Sequence, residues 1–164
     1  MAAVQKNAQK DALQPGDKAP PFALSADGGG EVSLSGLKGK AIVLYFYPKD
    51  DTSGCTAEAI AFSADAKAFK QAGAVVIGIS KDSVQSHDKF KAKHKLSVTL
   101  AADEDIKVAQ AYGVWVEKSM YGRRYMGMER ATFLIDGKGV IRKIWHKVRV
   151  PGHSADVLAS AKAL

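Results

Sequence analysis

The sequence predicts an α/β domain in which a central mixed β-sheet is flanked by helices. Two apolar, β-branched runs, Ala41–Tyr47 and Ala74–Ser80, are separated by a segment of helical periodicity, the pattern of parallel strands joined by a crossover helix. Further on, the runs Ala131–Ile135 and Val140–Trp145 flank Asp136-Gly137-Lys138-Gly139, a hairpin signature that adds antiparallel strands. Alternating β and α units followed by a hairpin and a helix give a mixed sheet with helices on both faces.

A length of 164 residues suits one domain with a core of its own. Residues 1–15 read as a mobile or loosely helical leader, with lysines but no apolar stretch of a secretory signal, and residues 16–164 as a single domain. Pro21 to Leu34 reads as a short hairpin turning at Asp27-Gly28-Gly29-Gly30. No Lys-Ser/Thr follows those glycines, so they do not make a phosphate loop.

Pro48 ends the strand Ala41–Tyr47, and Asp51, Thr52 or Ser53 can cap the Ala-rich helix that follows. Ala59, Phe62, Ala66 and Phe69 then recur at helical spacing toward Gly73. After the strand Ala74–Ser80, Asp82 or Ser83 caps a helix running to about His94. A short strand at Val98–Ala101 and a short helix from Glu104 to Tyr112 come next, and Glu117 to Glu129 reads as a loop or partial strand. A last helix covers about Ser154 to Leu164.

The formal charge of +7 raises the question of nucleic acid, but the basic residues are dispersed and no nucleic-acid motif frames them. No apolar run reaches the length of a membrane span, so no membrane partner is expected. His87, His94, His146 and His153 form no ligand-spaced pair with each other or with the cysteine and read as solvated side chains. No metal or cofactor is expected. The single cysteine excludes a disulfide framework and fits a reducing, cytoplasmic setting.

That cysteine, Cys55, falls in the first turn of the helix after Pro48. Unpaired backbone N–H groups and the positive end of the helix dipole favour an anion there, so the thiol is expected to be partly ionised and reactive. Asp50, Asp51 and Glu58 oppose that ionisation if they face the sulfur, so a cation must come from elsewhere in the chain. The competing reading is a buried cysteine acting as a small hydrophobe.

The spacing Pro48, Thr52, Cys55 resembles the P-x-x-x-T-x-x-C signature of the peroxiredoxins, and the string PKDDTSGCTAE resembles their bacterioferritin-comigratory-protein, or peroxiredoxin Q, branch. A second block, from Val116-Glu117-Lys118 through Tyr121–Gly127 to Arg130-Ala131-Thr132-Phe133-Leu134-Ile135, is similar to the same branch. The resemblance implies a thioredoxin-like fold with the Cys55 loop at a carboxyl edge of the sheet. It also implies a thiol-dependent peroxidase that reduces hydrogen peroxide and organic hydroperoxides through a sulfenic acid on Cys55. Thr52 would hydrogen-bond the peroxide, Pro48 would shape and shield the pocket, and Arg130 would be the missing cation. Arg123 and Arg124 could replace Arg130 only if the register were shifted.

Two departures matter. Relatives often carry a second, resolving cysteine, but here those positions are Ile60 and Lys91; the usual proline before Gly-Cys is Ser53. The resemblance therefore implies a one-cysteine enzyme, monomer or weak homodimer, recycled by a small thiol or a glutaredoxin- or thioredoxin-like protein. The alternative is a redox-sensing or holdase-like binding protein that uses Cys55 as a peroxide-responsive thiol. A thioredoxin-type disulfide reductase is disfavoured because no C-x-x-C is present.

Overall fold

The computed structural model describes residues 12–164. Most of the leader expected over residues 1–15 therefore lies outside the described residues. Near its end, Leu13 packs against the core and the Gly16 N–H donates to the Ile141 carbonyl at 2.7 Å.

A five-stranded mixed sheet organises the chain, with strand order β5-β4-β3-β8-β9. Its strands are β3 (Ala41–Phe46), β4 (Ala74–Ser80), β5 (Thr99–Ala102), β8 (Ala131–Ile135) and β9 (Ile141–Trp145). β3, β4 and β5 run parallel, whereas β8 and β9 are antiparallel to their neighbours. β3 is central because it is apolar on both faces. Side chains alternate across a strand, so Ile42, Leu44 and Phe46 enter one core layer while Val43, Tyr45 and Tyr47 enter the other.

The second layer is built by helices α1 (Ser53–Ala64), α2 (Ala66–Gln71), α3 (Val84–His94) and α5 (His153–Lys162), which contribute Ala59, Phe62, Phe69, Phe90 and Val157. The first is closed by α4 (Lys107–Ala111) and by the N-terminal hairpin, β1 (Ala23–Ser25) with β2 (Glu31–Ser33). That hairpin forms as expected and turns through a 3-10 segment at Asp27–Gly29. The Asp27 carboxylate ties it to the body by accepting from the Leu100 N–H at 2.8 Å and pairing with Lys91 at 2.7 Å. Ser83 caps α3 by accepting from the Ser86 N–H at 3.1 Å.

Two expectations are corrected. The apolar stripe from Ala59 to Phe69 spans two helices, not one. The chain leaves helical geometry at Asp65, with φ −96° and ψ 6°, and Ser154 donates to the Asp65 carboxylate at 2.7 Å, which fixes the break against the start of α5. The segment expected as loop or partial strand is a full antiparallel hairpin, β6 (Trp115–Met120) with β7 (Arg123–Met128). Its two-residue turn has positive φ at both Tyr121 and Gly122, the primed geometry that suits strand twist. Tyrosine gives no turn signal in that position, and most of the hairpin's side chains face solvent, so no apolar alternation marks the strands.

Gly78 of β4 lies under the Tyr45 ring. A Cβ there would stand 2.6 Å from Tyr45 Cζ. Tyr45 in turn stacks on Phe62 of α1 at 4.7 Å between ring centroids. Gly78→Ala is expected to lower stability by about 1–3 kcal/mol by displacing this ring in a filled core, read from the denaturant midpoint at unchanged m-value.

Candidate active site

The site lies where β3 hands the chain to α1. Half-buried Pro48 begins the connecting loop, and Asp51 takes a left-handed φ of 62° within it. Thr52 occupies the N-cap position of α1 with extended backbone, so Cys55 is the third residue of the helix. Cys55 is 1 % exposed.

The loop is held by a buried polar cluster that the sequence reading missed. The Asp50 carboxylate accepts from Tyr47 Oη at 2.6 Å and Ser86 Oγ at 2.8 Å, and lies 2.7 Å from His87 Nδ1. The other ring nitrogen of His87 meets the Ala101 carbonyl at 3.0 Å, and the Asp50 N–H donates to Asp82 at 2.8 Å. His87 is therefore a buried structural side chain, contrary to the solvated reading. His153 is likewise buried, its Nε2 2.8 Å from Thr132 Oγ1, and burial lowers its pKa to about 4. His94 and His146 pair with Asp51 and Glu129.

Arg130 occupies the short link between β7 and β8, beside the carboxyl end of β3, where Ala131 pairs with Phe46. Its backbone is pinned by the Val148 N–H, which donates to the Arg130 carbonyl at 2.9 Å. The preceding Glu129 accepts from the Lys147 N–H at 3.0 Å. The guanidinium reaches across to α1. Nη2 donates to Cys55 Sγ at 3.4 Å, and Nη1 donates to Glu58 Oε1 at 2.7 Å. Gly54 lets it come close, because a Cβ at that position would stand 3.1 Å from Nη2.

Glu58 follows Cys55 by three residues, on the same side of the helix. It is 1 % exposed, and burial raises its pKa to about 7 against the opposing pull of Arg130. Its second oxygen, Oε2, has no hydrogen-bond partner, nor does the buried hydroxyl of Tyr45. Burial pulls Arg130 down, but Glu58 and Cys55 outweigh it and hold the guanidinium above its usual range. Burial, then Glu58 and Cys55, push the Tyr45 phenol well up.

The structure thus brings Cys55 and Arg130 into contact. Thr52 is on the same turn, but its hydroxyl donates to the Lys49 carbonyl at 2.9 Å and is not bonded to the sulfur. Pro48 shapes the start of the loop. The spacing of Glu58 three residues after Cys55 is the sequence signal for its place in the site, beyond the opposing charge it presents. Among the described residues, no group of three or more His, Cys, Asp or Glu side chains is placed to hold a metal ion. No described helix is long and apolar enough to cross a membrane.

Glu58 makes stability depend on pH with a definite sign. Its folded pKa lies above its ordinary 4.5, so the folded chain binds this proton more tightly than the unfolded chain does. That contribution is complete below about pH 4.5 and is lost as pH rises through about 7. The full shift corresponds to on the order of 3 kcal/mol. Denaturation midpoints measured between these limits should fall more steeply with pH in the parent than in Glu58→Gln; identical slopes would contradict this account.

Known proteins share this sequence and fold. The model of the AhpC/TSA family matches residues 15–144. The putative peroxiredoxin Bcp of Coxiella burnetii is 52 % identical over 146 residues, which span 89 % of this chain and 97 % of that protein. Peroxiredoxin Bcp of Bacillus subtilis is 49 % identical over 150 residues, 92 % of this chain and 96 % of that one. Among solved structures, Xylella fastidiosa PrxQ, in a cysteine-to-serine variant, superposes with a TM-score of 0.87 at 39 % identity, covering 92 % of this chain and 96 % of that one. Xanthomonas campestris peroxiredoxin Q gives a TM-score of 0.83 at 44 % identity, covering 87 % and 90 %. The five-stranded sheet is therefore that of a thioredoxin-fold peroxiredoxin. With a family model across most of its length and relatives at this identity, the chain belongs to the AhpC/TSA family, in its Bcp/PrxQ branch of peroxiredoxins.

Proposed function

We propose that this thiol-dependent peroxidase works through Cys55, with Arg130, Thr52 and Pro48 completing the catalytic site and Glu58 positioning Arg130. The carrying observation is the shared guanidinium: Nη1 is committed to Glu58, which leaves Nη2 aimed at the sulfur. In the reaction the Cys55 thiolate attacks one peroxide oxygen, an S–O bond forms, and the O–O bond breaks. The second oxygen leaves with negative charge and takes up a proton as water or alcohol, while Cys55 becomes a sulfenic acid. Arg130 stabilises the negative charge on the thiolate and then, as that charge passes across, on the leaving oxygen. Thr52, freed from the Lys49 carbonyl, donates to the bound peroxide, and Pro48 adds no N–H to compete for it.

Hydrogen peroxide and organic hydroperoxides are the proposed substrates. Support for the organic class comes from the Xanthomonas campestris bacterioferritin comigratory protein, whose alkyl peroxide reduction activity has been examined structurally. Cys55, Arg130 and Glu58 come from one chain, which is consistent with a monomer or weak homodimer. A single cysteine cannot resolve its own sulfenic acid as a disulfide, so a small thiol or a glutaredoxin- or thioredoxin-like protein recycles it, in a reducing compartment of cytoplasmic type. The redox-sensor and holdase-like alternative is not favoured, since the relatives are named peroxiredoxins.

Removal of one oxyanion-type donor commonly slows a reaction on the order of 10²–10³-fold. Arg130→Ala and Thr52→Val should each slow peroxide consumption in rapid-mixing kinetics by that order while the fold stays intact; rates near the parent's in both would reject the roles.

A second test concerns the missing resolving thiol. Position 60 is exposed on α1, and residues five apart in a helix stand about 7.5 Å apart along its axis, beyond the reach of a disulfide. Ile60→Cys should therefore form a bridge to Cys55 after peroxide treatment only with local unwinding of α1. Non-reducing peptide mapping reads the bridge and hydrogen exchange the unwinding; positions 55 and 60 left unlinked despite normal Cys55 oxidation would show that the helix holds.

A further inference from the structure

The β6–β7 hairpin stands apart from the main sheet and forms a two-stranded sheet of its own. Among the described residues six large apolar side chains are exposed, and four of them lie here: Met120, Tyr121, Tyr125 and Met126. Tyr121, at the turn, is 96 % exposed. Between them stand Arg123 and Arg124, and Arg124 makes only a long, exposed approach of 3.9 Å to Glu117. Exposed apolar clusters with cationic neighbours mark contact surfaces, and Tyr, Met and Arg are the side chains such surfaces favour.

The hairpin also borders the peroxide site. β7 ends at Met128, two residues before Arg130. Lys118 and Tyr125 face each other across the strands, so with Met120 and Arg123 they share one side. Burial, and then the positive charge of Arg130, hold Lys118 on that side below its usual range against the pull of Cys55 and Glu129.

We infer that this hairpin docks an acidic redox protein bearing a reactive dithiol, which reduces the Cys55 sulfenic acid. The inference rests on the peroxidase reading above, and four observations select the partner. The chain holds no second cysteine, so the resolving thiols come from another molecule. Met120 and Tyr125 on that side, with Tyr121 at the turn, offer a macromolecule apolar area that a small thiol would not need. Arg123 and Arg124 call for carboxylates opposite. A second copy of this chain is a poor occupant, because its net charge is +7 and the same arginines would face one another.

The step balances. One partner thiolate attacks Cys55 sulfur, the S–O bond breaks, and hydroxide leaves as water with a proton, giving a mixed disulfide. The partner's second thiol then attacks its own sulfur in that bridge and releases the Cys55 thiol. The sulfenic acid is reduced and the partner's dithiol is oxidised to a disulfide. Because Cys55 is 1 % exposed, the first turn of α1 opens to admit the partner's sulfur.

The test uses an acidic bacterial thioredoxin, regenerated by its reductase, against the neutral reductant dithiothreitol. In the double variant Arg123→Glu/Arg124→Glu, kcat/KM for thioredoxin should fall at least about tenfold, and the parent's value, unlike the variant's, should fall as salt rises. Met120→Ala/Tyr121→Ala should lower it without changing the salt dependence. Turnover with dithiothreitol and the rapid-mixing rate of Cys55 oxidation should stay within about twofold of the parent in both. An unchanged thioredoxin kcat/KM in the charge reversal overturns the inference, whether or not sedimentation shows the hairpin joining two copies. So does a parent that glutathione recycles and thioredoxin does not. Failure of peroxide to oxidise Cys55 in the parent would instead strike the peroxidase reading itself.

Discussion

The Arg130 guanidinium joins two parts of the chain far apart in sequence. It meets Cys55 across 75 residues and Glu58 across 72. Both partners are buried on α1, and taking a carboxylate out of water is costly unless a charge of opposite sign and good hydrogen bonds compensate. Arg130 supplies that charge. The compensation is incomplete, since Glu58 Oε2 and the Tyr45 hydroxyl remain without hydrogen-bond partners beneath the site. A half-satisfied buried cluster of this kind is tolerated where function requires it. Here it gives the sulfur a cation whose direction is set by a second anion.

The surrounding structure keeps that contact in register. On one side, Asp50 gathers Tyr47, Ser86 and His87 around a single carboxylate, so the loop carrying Thr52 toward Cys55 is anchored to α3 and β5. On the other, Glu129 and the Arg130 carbonyl receive donors from residues 146–148 just beyond β9, which fixes the point from which the guanidinium extends. Between them, antiparallel pairing of β3 with β8 brings the two segments to one edge of the sheet. Gly54 leaves the gap the guanidinium crosses.

Much of this was legible because it is local. A buried strand closed by Pro48 and followed by a cap and an Ala-rich segment places Cys55 in a first helical turn without knowledge of the rest of the chain. Arg130 was not local: spacing alone leaves it one cation among many, and only the similarity of its surrounding block to a known branch singled it out. The burial of His87 depends on an aspartate 37 residues away and could not be read from a lysine-rich helix. The β6–β7 hairpin escaped for the opposite reason. Its strands bury little, so the periodicity that betrays a strand elsewhere is absent, and a tyrosine stands where an asparagine or glycine would have announced the turn.

The sealed position of Cys55 bears on the fate of its oxidised form. Where a chain carries a second cysteine within reach, capture of the sulfenic acid is intramolecular and independent of concentration; this chain has one cysteine, and residue 60, five beyond it, is isoleucine. Capture becomes bimolecular, and a second peroxide molecule competes with it for the same sulfur. Further oxidation gives a sulfinic acid that ordinary thiols do not reverse. The ratio of peroxide to available reductant, not the speed of the first oxidation, therefore sets how many cycles a molecule completes before it is permanently silenced.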